Sequence, residues 1–121
     1  MELKELTHQI IGCAMNVHNE LGRGFQEVIY ARALSLELDL YGIKYIREMP
    51  MSIHYKNIQI GIRRVDFFIE DTLMLEIKAV SEIDDAHLAQ AKNYLEAYRI
   101  KNGLLINFGN ASKLEWKRFV L

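Results

Sequence analysis

One cysteine, one proline and no long apolar run set the first limits on this 121-residue chain. With Cys13 alone, no disulfide can close within the chain and no thiolate zinc cluster can form. Cys13 falls in a helical apolar pattern, which assigns it a buried structural place. The shortage of cysteine fits a cytoplasmic protein. No stretch approaches the ~18 uninterrupted apolar residues needed to span a bilayer, so no membrane partner is expected. The opening Met-Glu-Leu-Lys-Glu-Leu is charged and amphipathic, unlike a secretory leader. Repeats, low-complexity runs and linker-like stretches are also missing, and residues 1–121 are expected to form a single domain. Excess charge of either sign is missing too, with 15 Lys and Arg against 16 Asp and Glu. A chain so neutral does not coat nucleic acid by bulk electrostatics. Binding of that kind needs a local basic patch, a homodimer that pools patches, or metal ions that supply the positive charge.

What is present is periodicity. Leu6, Ile10, Ala14, Val17 and Leu21 recur at helical spacing and predict a helix over 3–21, ended by Gly22-Arg23-Gly24. A second helix is expected from about Phe25 to Leu40, closed by Gly42. The pattern then turns extended from Ile43 to Tyr55, with an interruption at Pro50, which lacks the donor a central strand needs. Lys56-Asn57 turns the chain into a strand from Ile58 to Ile69, with Gly61 at a bulge or bend. Strand character follows from Leu73 to Val80, a helix from Asp84 to Arg99, and strands over Leu104–Asn107 and Leu114–Val120. The expectation is an α/β fold in the order ααβββαββ, a sheet with helices packed on it.

The central hairpin carries the chemistry. Val65, Phe67 and Ile69 would share one face of their strand, and Leu73, Leu75, Ile77 and Ala79 one face of the next. Burying both sets together requires an odd loop, and Glu70, Asp71 and Thr72 form the simplest one. In that register Asp66 lies opposite Glu76, with Lys78 two residues on. Arg64, Asp66, Phe68, Met74, Glu76 and Lys78 then fall on the other face. Facing carboxylates repel unless a cation or proton neutralises them. Magnesium suits such oxygens, keeps waters and brings a potential nucleophile. The bland reading is a Lys78 salt bridge to Asp66 or Glu76 on a solvated sheet face.

Gly24-Phe25-Gln26-Glu27-Val28-Ile29-Tyr30 reads G-x-x-E-x-x-Y. Taken with Asp66, Glu76-Ile77-Lys78 and the helix containing Gln90, it resembles the small GxxExxY proteins of the PD-(D/E)xK nuclease superfamily. The likeness extends through Tyr55, Asn93-Tyr94-Leu95, the segment Gly103–Gly109 and Lys117-Arg118. It departs from the superfamily pattern at Val65, where a proline often precedes the first acid. The resemblance implies a restriction-endonuclease-like core with a mixed sheet, and Mg2+ or Mn2+ as cofactor. It implies Asp66 and Glu76 as metal ligands, with the Ile77 carbonyl adding an oxygen and Lys78 as the catalytic lysine. Glu27 would complete the site from the preceding helix, and Gln90 would support it.

Each of these residues has a plainer reading. Glu27 would lie about three residues into its helix, where an acid complements the dipole whatever its function. Tyr30, one turn on, either orients Glu27 or fills the core. Gln90 either supports the site or is a polar flank beside the Leu88, Ala91 and Leu95 stripe. His8, His18, His54 and His87 show no ligand spacing. Arg63, Arg64, Lys117 and Arg118 are candidates for a basic patch, with solvated charges as the default. Trp116 and Phe119 suit an edge strand better than a base-stacking platform. The expected function is metal-dependent hydrolysis of phosphodiester bonds in nucleic acid. The alternative is a nuclease fold kept as a nucleic-acid- or protein-binding module with weak or no catalysis.

Overall fold

Apolar residues at helical spacing place two helices at the start of the chain. In the computed structural model, which describes residues 2–121, α1 spans Leu3–Leu21 and buries Leu6, Ile10, Cys13, Ala14 and Val17 along one stripe. It stops at Gly22, whose φ of 68° would strain any residue with a Cβ. The second helix, α2 (Glu27–Leu40), starts two residues later than the apolar pattern predicts, because Gln26 is still extended. Glu27 is therefore the first helical residue rather than the third. Tyr30, Ala31, Leu34 and Leu38 face inward.

Five strands follow, with a third helix among them: β1 (Tyr45–Tyr55), β2 (Ile58–Ile69), β3 (Leu73–Lys78), α3 (Asp85–Tyr98), β4 (Asn102–Asn107) and β5 (Glu115–Val120). They form one mixed sheet in the order β1-β2-β3-β4-β5. Neighbours are antiparallel except β3 and β4, which α3 joins as a parallel pair. The predicted element order and layering hold. The predicted interruption at Pro50 does not, for β1 runs through it. As an edge strand, β1 bonds on one side only and tolerates a residue without an N–H. The bulge near Gly61 is present, as the register slips between Ile53 and His54 so that Ile60 has no partner.

The Glu70-Asp71-Thr72 turn sets the β2–β3 register as expected, pairing Ile69 with Leu73 and Phe67 with Leu75. Phe67, Ile69, Leu75 and Ile77 pack with α1 and α2 in the larger core cluster. Val65, however, packs on the other side of the sheet with Met51, Met74, Leu105 and the α3 residues Ala91 and Leu95. Its expected place beside Phe67 is therefore corrected. The physical reason lies across the ladder, where Glu48 occupies the left-handed region at φ 51°, between the Met49–Val65 and Arg47–Phe67 pairs. The ribbon reverses its faces there. Arg63, two residues before Val65, is thereby turned toward α3 and takes the place expected for Arg64.

The chain beyond Lys78 is pinned by Asn107, which is fully buried. Its Oδ1 accepts from the Val80 N–H and its Nδ2 donates to the Val80 carbonyl, each at 2.9 Å, while Nδ2 also donates to Glu115 at 2.8 Å. One amide thus ties the end of β3 to β4 and β5, which satisfies backbone groups that no strand reaches there.

Candidate active site

The register predicts that Asp66 and Glu76 face each other, and their side chains do meet. Asp66 Oδ2 accepts the Ile77 N–H at 2.7 Å, so β2 and β3 are bridged by this carboxylate where their own ladder ends at Phe67–Leu75. Glu76 is buried, being only 3% exposed. Burial, the neighbouring Asp66 charge and a shared hydrogen bond with Asp66 push the Glu76 carboxyl up to about 8, against the opposing pull of Arg63 and Lys78. Burial beside a second carboxyl group thus disfavours charge on Glu76 unless a cation or a proton compensates it.

Arg63 was expected as a solvated charge and is not one. Its guanidinium donates to Glu76 Oε2 at 3.2 Å and lies over the Tyr94 ring of α3, 4.5 Å from the centroid. Its Nε is buried without a partner, as is Glu76 Oε1. The sequence signal for this pairing was weak, because strict alternation from Asp66 puts Arg64 on the site face. Arg64 instead reaches the Glu48 carbonyl at the surface. Lys78 is half-buried and close enough for its charge to act on Glu76.

Glu27 does not join this group. It is exposed, at the start of a helix whose body packs on the face away from Met74 and Glu76. Among the described residues, no three His, Cys, Asp or Glu side chains come together to hold a metal. Of the expected group Glu27, Asp66, Glu76 and Lys78, the structure brings Asp66 and Glu76 together with Lys78 near them, and adds Arg63. Glu27 does lie at the same end of the sheet. Tyr30, one turn on, stacks on Phe108 at 4.6 Å, and the Phe108 N–H donates to the Lys78 carbonyl at 2.9 Å.

Tyr30 is a core residue rather than a support for Glu27. Its hydroxyl donates to the Gly22 carbonyl at 2.6 Å and accepts from the Phe25 N–H at 3.3 Å, which holds the connection between α1 and α2. Gln90 is exposed, one turn before Tyr94 on the same face of α3. Lys117 and Arg118 lie on β5, two strands away from β3 and three from Arg64 on β2, so the four cations form no single patch. His87 caps α3, its Nδ1 accepting from the Asp84 N–H while Asp84 Oδ1 accepts from its own N–H.

The donor set suits a hard divalent cation. Glu76 Oε1 is a buried oxygen with no partner, beside a second carboxylate, and two like charges at this distance need a cation or a proton. The Ile77 carbonyl leaves its strand on the same edge as the N–H that meets Asp66, so it also faces the gap between β2 and β3. Two carboxylates with a main-chain oxygen are what magnesium commonly takes from protein, with waters and substrate phosphate completing the shell.

The sequence model of a family described as the PD-(D/E)XK nuclease superfamily matches residues 4–119. No curated protein matches the chain. Among solved structures, the crystal structure of SSO0001 is similar at a TM-score of 0.47 and 12% identity, over 95% of this chain and 77% of that one. No helix among the described residues is long and apolar enough to cross a membrane.

Proposed function

Because the chain belongs to the PD-(D/E)XK nuclease superfamily, we propose that it is a nuclease of the GxxExxY kind, one domain over residues 1–121, which hydrolyses phosphodiester bonds with Mg2+ or Mn2+. The observation that carries this reading is the buried, unpartnered Glu76 oxygen beside Asp66, with Lys78 on the same face. A packed hairpin gains nothing from such a pair unless something binds there.

Asp66, Glu76 and the Ile77 carbonyl would hold the ion. A bound Mg2+ or Mn2+ would supply Lewis-acid activation of a water and positive charge for the phosphate oxygens. Asp66 is held in place by the Ile77 N–H, so its free oxygen points at a fixed position. Arg63 keeps Glu76 oriented through Oε2 and leaves Oε1 for the ion. The Lys78 ammonium donates a hydrogen bond to the attacking water or to the phosphate oxygen on which charge develops. Gln90, exposed one turn before Tyr94 on α3, would support the site from that side. Glu27 is a carboxylate at the rim, assigned no ligand bond.

The test is cleavage of single- and double-stranded DNA and RNA with magnesium, with manganese and with a chelator, wild type beside Lys78→Ala. Metal-dependent cleavage that falls by ~100-fold or more in Lys78→Ala, with metal binding intact, supports the reading. Absence of metal binding to the wild type at millimolar concentration would overturn it in favour of a binding module.

A further inference from the structure

Among the described residues, Leu36 and Leu40 form one exposed apolar patch on α2, and Tyr55, Ile58, Ile60 and Ile62 a second near the end of the β1–β2 ribbon; Val120 and Leu121 are exposed as well, at the end of the chain. Isolated exposed apolar residues need no explanation, but clusters mark interaction surfaces.

The second patch sits on an arm. β3 pairs with β2 only over Phe67–Ile69, and the root of the β1–β2 ribbon is held at Met51, whose carbonyl accepts from the Tyr98 hydroxyl at 3.0 Å. Beyond that root, β1 and β2 continue paired with each other alone to the Lys56-Asn57 turn. From Arg63, opposite Met51, to Ile58 the ribbon extends by about 17 Å at ~3.3 Å per residue. The slip opposite His54 puts Ile62, paired with Ser52, and Ile58, paired with Tyr55, on different faces. The arm is thus apolar on both faces, which suits a finger laid in a groove better than one flat sheet laid on another. Beyond its root the arm contains Lys56 and no acid, since Arg63 is held at Glu76 and Arg64 at the Glu48 carbonyl.

The first patch is a groove with the complementary character. α1 and α2 leave a trough of about 270 Å3 between them, floored by Leu21, Ala33, Leu36 and Leu40 and bearing Glu20 and Glu37. Its apolar residues on α2, Ala33, Leu36 and Leu40, recur at i, i+3 and i+7, so the apolar strip runs along one face of that helix beside Glu37. An apolar, basic arm and an apolar, acidic groove on one chain match in both respects.

We propose that the chain forms a homodimer in which the β1–β2 arm of each protomer lies in the α1–α2 groove of its partner. Ile60 and Ile62 cover Leu36 and Leu40, and Lys56 meets Glu20 or Glu37. Two such contacts related by a two-fold axis close the assembly, which leaves neither patch open. Phe67, Ile69, Leu75 and Ile77 hold the groove side of the fold independently of Asp66 and Glu76, so the dimer does not depend on the nuclease reading.

Mass measurement by light scattering across a range of concentrations, with the full chain, tests this. A wild-type mass of two protomers is expected, and Ile60→Asp or Leu40→Asp should each weaken dimerisation by about ten-fold or more. Both side chains are exposed, so neither variant should unfold the protein, which circular dichroism checks. Lys56→Glu and Glu37→Lys should each weaken the dimer and together restore it in part. A mixture of Ile60→Cys and Leu40→Cys proteins should form a cross-linked heterodimer on oxidation, since native Cys13 is buried and silent. A monomer at ~100 μM, in a range where specific dimers persist, overturns the proposal. So do a mass that grows past two protomers and a dimer untouched by Ile60→Asp. Loss of nucleic-acid binding in Ile60→Asp with a monomeric wild type would assign the arm to the substrate instead.

Discussion

Replacing Glu76 by Gln separates the electrostatic burden of the site from its shape. The Glu76 carboxyl is displaced from 4.5 to about 8 in the folded protein, mainly by burial and then by Asp66. In the unfolded chain it titrates near its ordinary value. Between those values the folded state holds the proton more tightly, so unfolding free energy decreases as pH rises. The contribution is fully present below about pH 4.5 and is lost as pH passes through about 8. At ~1.4 kcal/mol per pH unit, the displacement corresponds to at most about 5 kcal/mol. Water entering the site brings the expected loss to about 2–3 kcal/mol. Glutamine has the same shape and no proton to lose, so Glu76→Gln should remove this slope. Urea unfolding in a chelator at pH 5, 7 and 9 measures it directly, with the wild type losing about 2–3 kcal/mol relative to the variant from pH 5 to 9. Magnesium should reverse the difference at pH 9, where the wild type has the carboxylate the ion needs, and binding near pH 7 should release about one proton. Parallel pH profiles for the two proteins would show that burial beside Asp66 does not displace the Glu76 carboxyl, and would refute this reasoning.

Asp66→Asn should abolish the rise in melting temperature that magnesium or manganese gives the wild type, as followed by calorimetry, with the fold preserved. Glu27→Gln should change metal affinity far less than Asp66→Asn in the same titration, because Glu27 stands outside the carboxylate pair; an equal loss would place it in the site. Gly103→Ala should lower stability by about 2 kcal/mol or more in urea unfolding, since a Cβ there would meet the Phe119 ring. Tyr30→Phe should cost about 1 kcal/mol in the same assay through its bonds to Gly22 and Phe25, and leave metal affinity unchanged.

The sequence by itself determined most of what depends on neighbours along the chain. Leu6 to Leu21 at helical spacing, with Gly22 after them, locates α1 to the residue. The three-residue turn after Ile69 sets a register in which Asp66 and Glu76 can only face each other, because each step along a strand reverses the side chain. The PD-(D/E)XK resemblance is legible for the same reason: its acids and lysine fall on two strands joined by a short turn.

Tertiary structure decided what depends on packing across the sheet. Glu48, held at positive φ, reverses the faces of the long ribbon, which brings Arg63 rather than Arg64 to Glu76 and moves Val65 away from Phe67. Alternation counted along one strand does not register a twist imposed by the partner strand. Glu27 illustrates the same limit. Its helical neighbours are legible, but which face of the sheet α2 covers follows from Tyr30, Leu34 and Leu38 burying against Phe67, Ile77 and Phe108. That burial, a sum of non-local apolar contacts, keeps Glu27 out of the carboxylate pair, while the low-dielectric setting it helps build raises the Glu76 pKa.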